Sequence, residues 1–158
     1  MPMLKNIHET LDYTFYDSFR FTHTGQGLSH IQLFQRALSS DVSMLETNMV
    51  APGFLPVCQA FHIRSFKIVF INSPEPWDIA ELARKCTFTF SVQCKMYARG
   101  FVRALLPPSS VECVNVAISY QEPFVFDIRA ERPLSFDPMG SGLHGHLFMQ
   151  GKLLRPIQ

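Results

Sequence analysis

The chain has few charged residues and no long apolar run. Each of these two features excludes some classes of protein. Only 17% of its 158 residues are charged, and acids and bases nearly cancel to a net charge of +1. A balanced charge gives no electrostatic reason to bind nucleic acid. No run approaches the ~18 apolar residues that cross a bilayer, and the first sixteen residues lack the apolar centre of a secretion signal. We expect a protein made in the cytoplasm, without a nucleic-acid partner.

The cysteines are few and widely spaced. None of the four forms a C-x-x-C pair, so neither a zinc knuckle nor a thioredoxin-type site is indicated. In a reducing compartment such cysteines stay free, and cysteine is among the most buried residue types. We therefore expect free, mostly buried thiols that act as small core residues, at Cys58, Cys86, Cys94 and Cys113.

What the chain has in quantity is apolar and aromatic side chains, at 47% and 13% of all residues, with eleven prolines and eight glycines between them. A chain of this length and apolar content forms one hydrophobic core. We predict a single domain over residues 1–158, with terminal arms at 1–10 and 155–158 that reach a neighbouring subunit.

Alternation of apolar and polar residues is the main structural signal. In residues 86–92, Cys86, Phe88, Phe90 and Val92 share one face, which is typical of a strand with one dry side. In residues 61–71 the phase of the alternation changes near Ser65, which predicts a β-bulge. Strands are predicted at 13–16, 19–23, 31–38, 61–71, 86–92, 95–106 (broken by Gly100 and stopped by Pro107-Pro108), 114–119, 124–129 and 143–153.

One helix is predicted among these strands. Residues 73–78 provide a serine cap, early prolines and an acid, and Arg84 and Lys85 stand at the carboxyl end. We expect two to three turns that close the core and cover unpaired backbone. About eight strands and one helix predict an all-β antiparallel sandwich, either a single jelly roll or an immunoglobulin-like fold. The Cys–Trp–Cys arrangement of the latter is missing, because Trp77 lies in the helix.

His144 and His146 are the most site-like pair. Residues two apart on a strand project from the same face, so both imidazoles could reach one metal ion, as in cupin-type jelly rolls. Cupins also use an acid a few residues later and a distant histidine. Here residues 147–151 contain no acid, and the earlier histidines have no matching context. The alternative is a pair of polar residues on an exposed or interfacial face, and this is the interpretation we favour.

Other catalytic patterns are equally weak. Residues 140–142, Gly-Ser-Gly, lack the spacing of a nucleophile elbow and are expected to form a loop. A glycosidase would need two apposed carboxylates, and the sequence alone pairs none of Asp12, Asp17, Glu122 and Asp127. We therefore assign no catalytic, cofactor or metal residue and predict a protein that is not an enzyme.

Apolar residues also occur on both faces of several strands. Phe148 opposes Met149, and Tyr97 lies between Met96 and Phe101. A small sandwich that is more apolar than one core needs usually forms oligomer contacts. The alternative is an ordinary phenylalanine-rich core with scattered exposed apolar groups.

Short motifs in the last two thirds of the chain form an ordered series. In residues 47–63, a Thr-Asn pair and a Leu-Pro turn precede a segment that contains Gln-Ala-Phe-His-Ile. In residues 77–108, a Trp-Asp-Ile helix precedes a Phe-Thr-Phe-Ser-Val strand, a Lys-Met-Tyr turn and a Leu-Pro-Pro stop. Residues 121–126 and 147–158 end the series with Gln-Glu-Pro-Phe-Val-Phe and a final Gly then Arg-Pro-Ile-Gln. From residue 45 onward the chain resembles capsid proteins of tailless, icosahedral bacteriophages.

This resemblance implies a jelly-roll virion protein that self-assembles and has no catalytic residues. Its partners would be copies of itself and other virion proteins, as a trimer or pentamer within a shell. It would be made in the host cytoplasm and located in the virion, with a membrane present only as an internal layer. Many such proteins are longer or carry two jelly rolls, so the role stays open between major coat, vertex and accessory subunit.

We therefore expect a single jelly-roll capsid subunit that works by symmetric self-association. Two other classes are alternatives: a cupin-like metalloenzyme that uses His144 and His146, and a carbohydrate-binding domain of a receptor spike. A carbohydrate-binding domain would expose aromatic platforms, and the single tryptophan of this chain weakens that alternative.

Overall fold

The structure is a computed structural model that describes residues 8–21 and 30–157, without the side chain of Val114. Within these residues, eight strands, one α-helix and one 3₁₀ turn follow one another. They are β1 (His8–Phe21), β2 (His30–Leu33), β3 (Ala60–Phe70), α1 (Pro76–Lys85), β4 (Cys86–Val92), β5 (Lys95–Phe101), the 3₁₀ turn Val102–Ala104, β6 (Val111–Ser119), β7 (Phe124–Ala130) and β8 (Leu143–Pro156).

The strands form two antiparallel sheets of four. The first sheet has the order β1-β8-β3-β6 and the second has the order β2-β7-β4-β5. Pairing is nested, because β1 pairs with β8, β2 with β7, β3 with β6 and β4 with β5. The prediction of an all-β sandwich with about eight antiparallel strands and one short helix is confirmed.

Phenylalanine rings from the two sheets meet in the core. The ring centroid of Phe66 in β3 lies 4.9 Å from that of Phe90 in β4 and 5.0 Å from that of Phe126 in β7. Phe88 stacks on Phe126 at 5.3 Å. Each ring comes from the buried phase of its strand, so the alternation in the sequence directly places it between the sheets.

The predicted bulge near Ser65 is confirmed. The register of β3 against both neighbours shifts between Ile63 and Ser65. At this point β8 comes so close that a Cβ on Gly151 would lie 2.1 Å from the carbonyl oxygen of His62. Only a residue without a side chain fits there, so Gly151 permits the close approach of β3 and β8 beside the bulge.

Strand boundaries differ from the predicted ones in the first part of the chain. The segment predicted at 13–16 and the first three residues of the one predicted at 19–23 belong to one strand, β1. Residues 22 and 23 of that prediction lie outside the described part of the chain. The strand predicted at 31–38 ends at Leu33, because Phe34 has a positive φ of 65° and donates its N–H to the Asp17 carboxylate at 2.7 Å. At Phe34, the Asp17 carboxylate thus takes the place of the β-ladder partner as acceptor of the backbone N–H.

Two further boundaries are corrected. Gly100 does not break β5, which runs through it to Phe101, where the 3₁₀ turn follows. The helix begins at Pro76 with Glu75 as its N-cap rather than at the predicted serine. The helix begins here because the backbone of Glu75 is extended and a proline follows it in the first turn.

The predicted terminal arms are partly strands. His8 pairs with Pro156 and Glu9 pairs with Arg155, so residues 8–10 and 155–156 belong to the first sheet itself. Residues 1–7 and 158 lie outside the described part of the chain. Within residues 8–21 and 30–157, no helix is long and apolar enough to cross a bilayer.

The four cysteines are free, but the expectation that they are mostly buried is wrong for two of them. Cys86 is buried, and burial raises the pKa of its thiol to about 12. Cys113 is half-buried, and burial raises its pKa as well. Cys58 and Cys94 are exposed because they stand in turns with positive φ, outside the alternating faces of the strands.

Candidate functional site

Residues 39–50, here called the covering segment, lie along the middle of the edge strand β1. Thr47 forms a bridge with Asp17, and its hydroxyl donates to the carbonyl oxygen of Tyr16 at 3.0 Å. Asn48 accepts the Tyr16 N–H at 2.9 Å and donates to the carbonyl oxygen of Thr14 at 2.8 Å. The segment therefore occupies backbone groups that an edge strand otherwise leaves open.

The covering segment holds two apolar residues by their backbone and leaves their side chains in solvent. The Tyr16 hydroxyl donates to the carbonyl oxygen of Met44 at 2.6 Å, and Nε2 of His146 lies 2.7 Å from the carbonyl oxygen of Leu45. Yet Met44 is 66% exposed and Leu45 is 82% exposed. Because the backbone at these two residues is already fixed, a partner that covers their side chains has less conformational entropy to remove.

A buried carboxylate of β1 holds the part of the chain that leads into the covering segment. Asp17 is fully buried and accepts the N–H groups of Phe34 at 2.7 Å and Ser18 at 3.0 Å. Arg36 donates to it at 3.0 Å and also lies 3.5 Å from Glu46. Burial raises the pKa of Asp17, against the lowering effect of the Phe34 N–H and of Arg36.

His144 and His146 both lie half-buried on the outward side of β8, as the alternation predicts. His146 is hydrogen-bonded to Leu45 and packs against the rings of Tyr16 at 5.2 Å and Phe148 at 5.9 Å. Burial, the charge of Arg20 and the nearby His146 lower the pKa of His144. The described residues contain no group of three or more histidines, cysteines and acids that could hold a metal ion.

The cupin-like alternative remains a prediction, but the surroundings of the pair favour an interfacial interpretation. A carbonyl oxygen already occupies the Nε2 side of His146, and a guanidinium lies near His144. A neighbouring positive charge opposes a metal cation, whereas aromatic and imidazole rings on one face suit contact with a protein.

The four carboxylates considered for glycoside hydrolysis each have a local partner. Asp12 pairs with Lys152 at 2.9 Å, and Asp127 lies 2.6 Å from His30. Glu122 accepts a backbone N–H at 2.8 Å in the turn before β7, and Asp17 is the buried anchor described above. These contacts are ion pairs and hydrogen bonds within the fold, so each of the four carboxylates has a structural role.

Helix α1 holds the connection between β7 and β8. Glu81 is buried, accepts the Ser135 N–H at 3.1 Å and pairs with Lys85 and Arg84. Burial would raise the pKa of Glu81, but these bonds lower it below its usual value. Asp78 accepts the N–H of Asp137 at 3.0 Å, while its second oxygen is buried without a partner. The helix therefore covers unpaired backbone, as expected for a structural element.

The second sheet presents a different surface at its edge. β5 is the end strand, and its Met96, Tyr97 and Phe101 side chains are 50%, 42% and 53% exposed. Two shallow clefts of about 270 and 250 Å³ lie on the outer face beside Thr87 and Thr89. Edge backbone next to exposed apolar side chains is a surface suited to strand pairing.

A scan of protein-family models and searches of curated proteins and of solved structures found no match to this chain.

The apolar residues of β5 are evident from the sequence, whereas the covering segment is not. A signal for it exists in residues 39–48, where Met44 and Leu45 interrupt a run of serines and acids. Apolar residues in a polar loop have no strand face to join, so they either fold back or stay exposed. The hydrogen bonds that decide between these outcomes come from Tyr16 and His146, far away in the sequence.

Proposed function

We propose that the protein is a structural subunit of a virus particle, a single jelly roll that works by associating with copies of itself. The ordered motifs of residues 45–158 support membership of a shell, and the two-sheet architecture supports the jelly roll. In that fold the strands wind in two Greek keys, so that strands distant in sequence become neighbours. The nested pairing of β1 with β8 through β4 with β5 supports this assignment.

The observation that carries the proposal is the pair of anchored, exposed side chains of Met44 and Leu45. Their carbonyl groups are fixed by Tyr16 and His146, while the side chains project into solvent. Methionine is enriched at interfaces, and a fixed backbone reduces the entropy that association costs. A solitary domain gains nothing from fixing apolar groups in water, whereas a subunit buries them against its neighbour.

The test measures the mass of the wild type by light scattering over a wide range of concentration, with electron microscopy of the most concentrated sample. The double variant Met44→Ser/Leu45→Ser removes the apolar groups and keeps the backbone bonds. Met139→Ser is the matched control, because it replaces an exposed methionine in the connection between β7 and β8. We expect assemblies for the wild type and the control, and weaker assembly for the double variant.

Two results would count against the proposal. A wild type that stays monomeric at every concentration and forms no particles would contradict self-association. Equal losses of assembly in Met139→Ser and in the double variant would show that general surface polarity matters and not the covering segment.

A further inference from the structure

We propose that a cleft beside the carboxyl end of β1 binds a tetrahedral oxyanion, a phosphate or sulfate group, between Arg20 and His144. The cleft has a volume of about 640 Å³ and is lined by residues of β1, β2, β8 and the covering segment. This volume is in the range of small-molecule sites. The inference goes beyond the proposed function, because it concerns a small ligand and needs no second copy of the chain.

The register of the first sheet places Arg20 and His144 side by side. β1 and β8 pair without a register shift, and Arg20 is directly opposite His144 in this ladder. Side chains of directly opposite residues share a face, with Cβ atoms about 4.5–5.5 Å apart. Arg20 is exposed and His144 is half-buried, and both line the cleft. A single oxyanion can therefore contact the guanidinium and the imidazole together.

Arg20 has no acidic partner in the fold. All thirteen aspartates and glutamates of the chain lie within residues 8–21 and 30–157, and none of them forms an ion pair with Arg20. Glu46 lines the cleft, but it accepts the Ser43 N–H at 3.1 Å and lies 3.5 Å from Arg36. Arg36 in turn pairs with Asp17. A bound oxyanion would give Arg20 the negative partner that the chain does not provide.

Two hydroxyl groups in the same cleft add further donors. Ser18 lies two residues before Arg20 on β1, and its Oγ accepts a bond from Arg36 at 2.9 Å. Oγ of Ser43 in the covering segment accepts the Leu45 N–H at 3.2 Å. Each hydroxyl therefore keeps its own hydrogen to donate. Donors from β1, β8 and the covering segment suit the four oxygens of a tetrahedral group better than the two oxygens of a carboxylate.

The surroundings of His144 keep its ring neutral in the absence of a ligand. Burial lowers the pKa of His144, and the positive charge of Arg20 and the nearby His146 lower it further, while Glu46 raises it. On the side of β3, residues 71–72 bond to the backbone of His144 and carry no charge. The described cation that faces the ring across the ladder is therefore Arg20.

An oxyanion at Arg20 would reverse the effect of that cation. Its negative charge offsets the guanidinium and favours the imidazolium, so the pKa of His144 rises when the ligand binds. By linkage, the ligand then binds more tightly at a pH where His144 is protonated. We expect the affinity of the site to increase as the pH falls through the range in which histidine titrates.

Sulfate is the probe, because its charge stays constant between about pH 5 and pH 8, where histidine titrates. NMR of the backbone amides and of the histidine ring protons follows its binding to the wild type. We expect the signals of Arg20 and His144 to shift as sulfate is added, and the pKa of His144 to rise at saturation. The dissociation constant should be at least about fivefold lower at pH 5 than at pH 8.

Three variants assign the effect to the two side chains. Arg20→Gln removes the charge and keeps a polar side chain, and we expect the dissociation constant for sulfate to rise at least about tenfold. Arg99→Gln is the matched control, since it removes an exposed arginine of β5 that likewise has no ion pair among the described residues. His144→Gln cannot titrate, so sulfate affinity should be the same at pH 5 and pH 8.

Three singly charged probes define the chemistry of the ligand. Methyl sulfate should bind more tightly than acetate, and equal affinities would contradict a tetrahedral site. Phenyl sulfate carries the same charged group with an added ring, which Ile31 and Leu45 in the lining of the cleft can contact. Tighter binding of phenyl sulfate than of methyl sulfate assigns the group to a larger organic molecule, and equal binding assigns it to a free ion. Both results support the oxyanion site.

The outcomes separate this inference from the proposed function. Absence of sulfate binding, or binding that Arg20→Gln leaves unchanged, overturns the site. Equal weakening by Arg20→Gln and Arg99→Gln also overturns it, because the sulfate would then be an adventitious ion only. A pH dependence that persists in His144→Gln overturns the part assigned to that ring. A wild type that binds sulfate as expected but is monomeric at all concentrations contradicts the proposed function and leaves this inference intact.

Discussion

The edges β1 and β5 end their respective sheets, and the chain treats them in opposite ways. β1 has fourteen residues, and the covering segment bonds to the backbone groups of Thr14 and Tyr16 along it. β5 has seven residues and exposes Met96, Tyr97 and Phe101 with no covering element among the described residues. The difference teaches that this fold covers a long edge with its own chain and, among the described residues, leaves a short, cationic and aromatic edge open.

The largest expected effect compares two glycines, one in each sheet. Gly151→Ala would place a Cβ 2.1 Å from the His62 carbonyl oxygen, and the β3–β8 ladder prevents this backbone from moving. We expect a loss of about 4 kcal/mol in the free energy of unfolding. Gly100→Ala in β5 would meet the edge of the Phe88 ring at 3.1 Å. Phe88 is buried, but β5 is paired on one side only, so its backbone can move away from that ring, and we expect a loss below about 1 kcal/mol.

Urea unfolding at one fixed, low protein concentration measures both glycine variants, so that association does not contribute to the difference. If the two variants lost the same free energy of unfolding, the backbone would be equally closely packed at both glycines. That result would contradict the contrast between the two sheets.

The next effect concerns the anchor beneath the covering segment. Asp17→Ala leaves the Phe34 N–H buried without an acceptor and removes a partner of Arg36. Because Arg36 is partly exposed, we expect a loss of about 2 kcal/mol rather than the full cost of breaking a buried pair. Asp12→Ala on the same strand is the control, since its ion pairs lie at the surface and should leave the urea midpoint unchanged. Similar midpoints for the two variants would contradict the role of Asp17.

A smaller effect is expected where the covering segment touches the outer face of the first sheet. Tyr16→Phe removes the hydroxyl that donates to the Met44 carbonyl oxygen at 2.6 Å. One such bond contributes about 1 kcal/mol to the free energy of unfolding. Tyr120→Phe removes a hydroxyl that accepts a bond only from the adjacent Gln121, and we expect no change there. If Tyr16→Phe unfolds at the wild-type urea concentration, the segment is held by its other contacts alone.

The last prediction uses pH to isolate the contribution that the Asp17 carboxyl makes to the free energy of unfolding. Burial raises the pKa of Asp17 above its ordinary 3.8, so the folded state binds the proton more tightly than the unfolded state. The stability that this carboxyl contributes is therefore fully present below pH 3.8 and is lost as the pH rises through the raised pKa. Asp17→Asn cannot titrate. The wild-type free energy of unfolding, relative to that variant, should fall as the pH rises from the acid side, and a rise would contradict the assignment.

The sequence predicts well those features that depend on which side of a strand faces the core. Alternation in residues 86–92 matches β4, and the phase change near Ser65 matches the bulge, because burial of one face fixes the register. The fold class follows from the same signal summed over all strands. Self-association, the virion location and the absence of a catalytic role stay predictions.

The features that the sequence does not predict depend on contacts between distant residues. β2 ends early because a carboxylate seventeen residues away takes the Phe34 N–H. The covering segment is held by His146, which is 101 residues from Leu45. Cys58 and Cys94 are exposed because positive φ values take them out of the strand pattern. These features do not follow the alternation of apolar and polar residues, so local sequence patterns cannot reveal them.

The most direct test of the account is sedimentation velocity of the wild type over a wide range of concentration, beside Met44→Ser/Leu45→Ser. We expect the wild type to shift from one chain to multiples of it as the concentration rises, and the variant to need at least about ten times more protein for the same shift. A wild type that sediments as a single chain throughout would contradict the claim that its open surfaces exist to bind further copies.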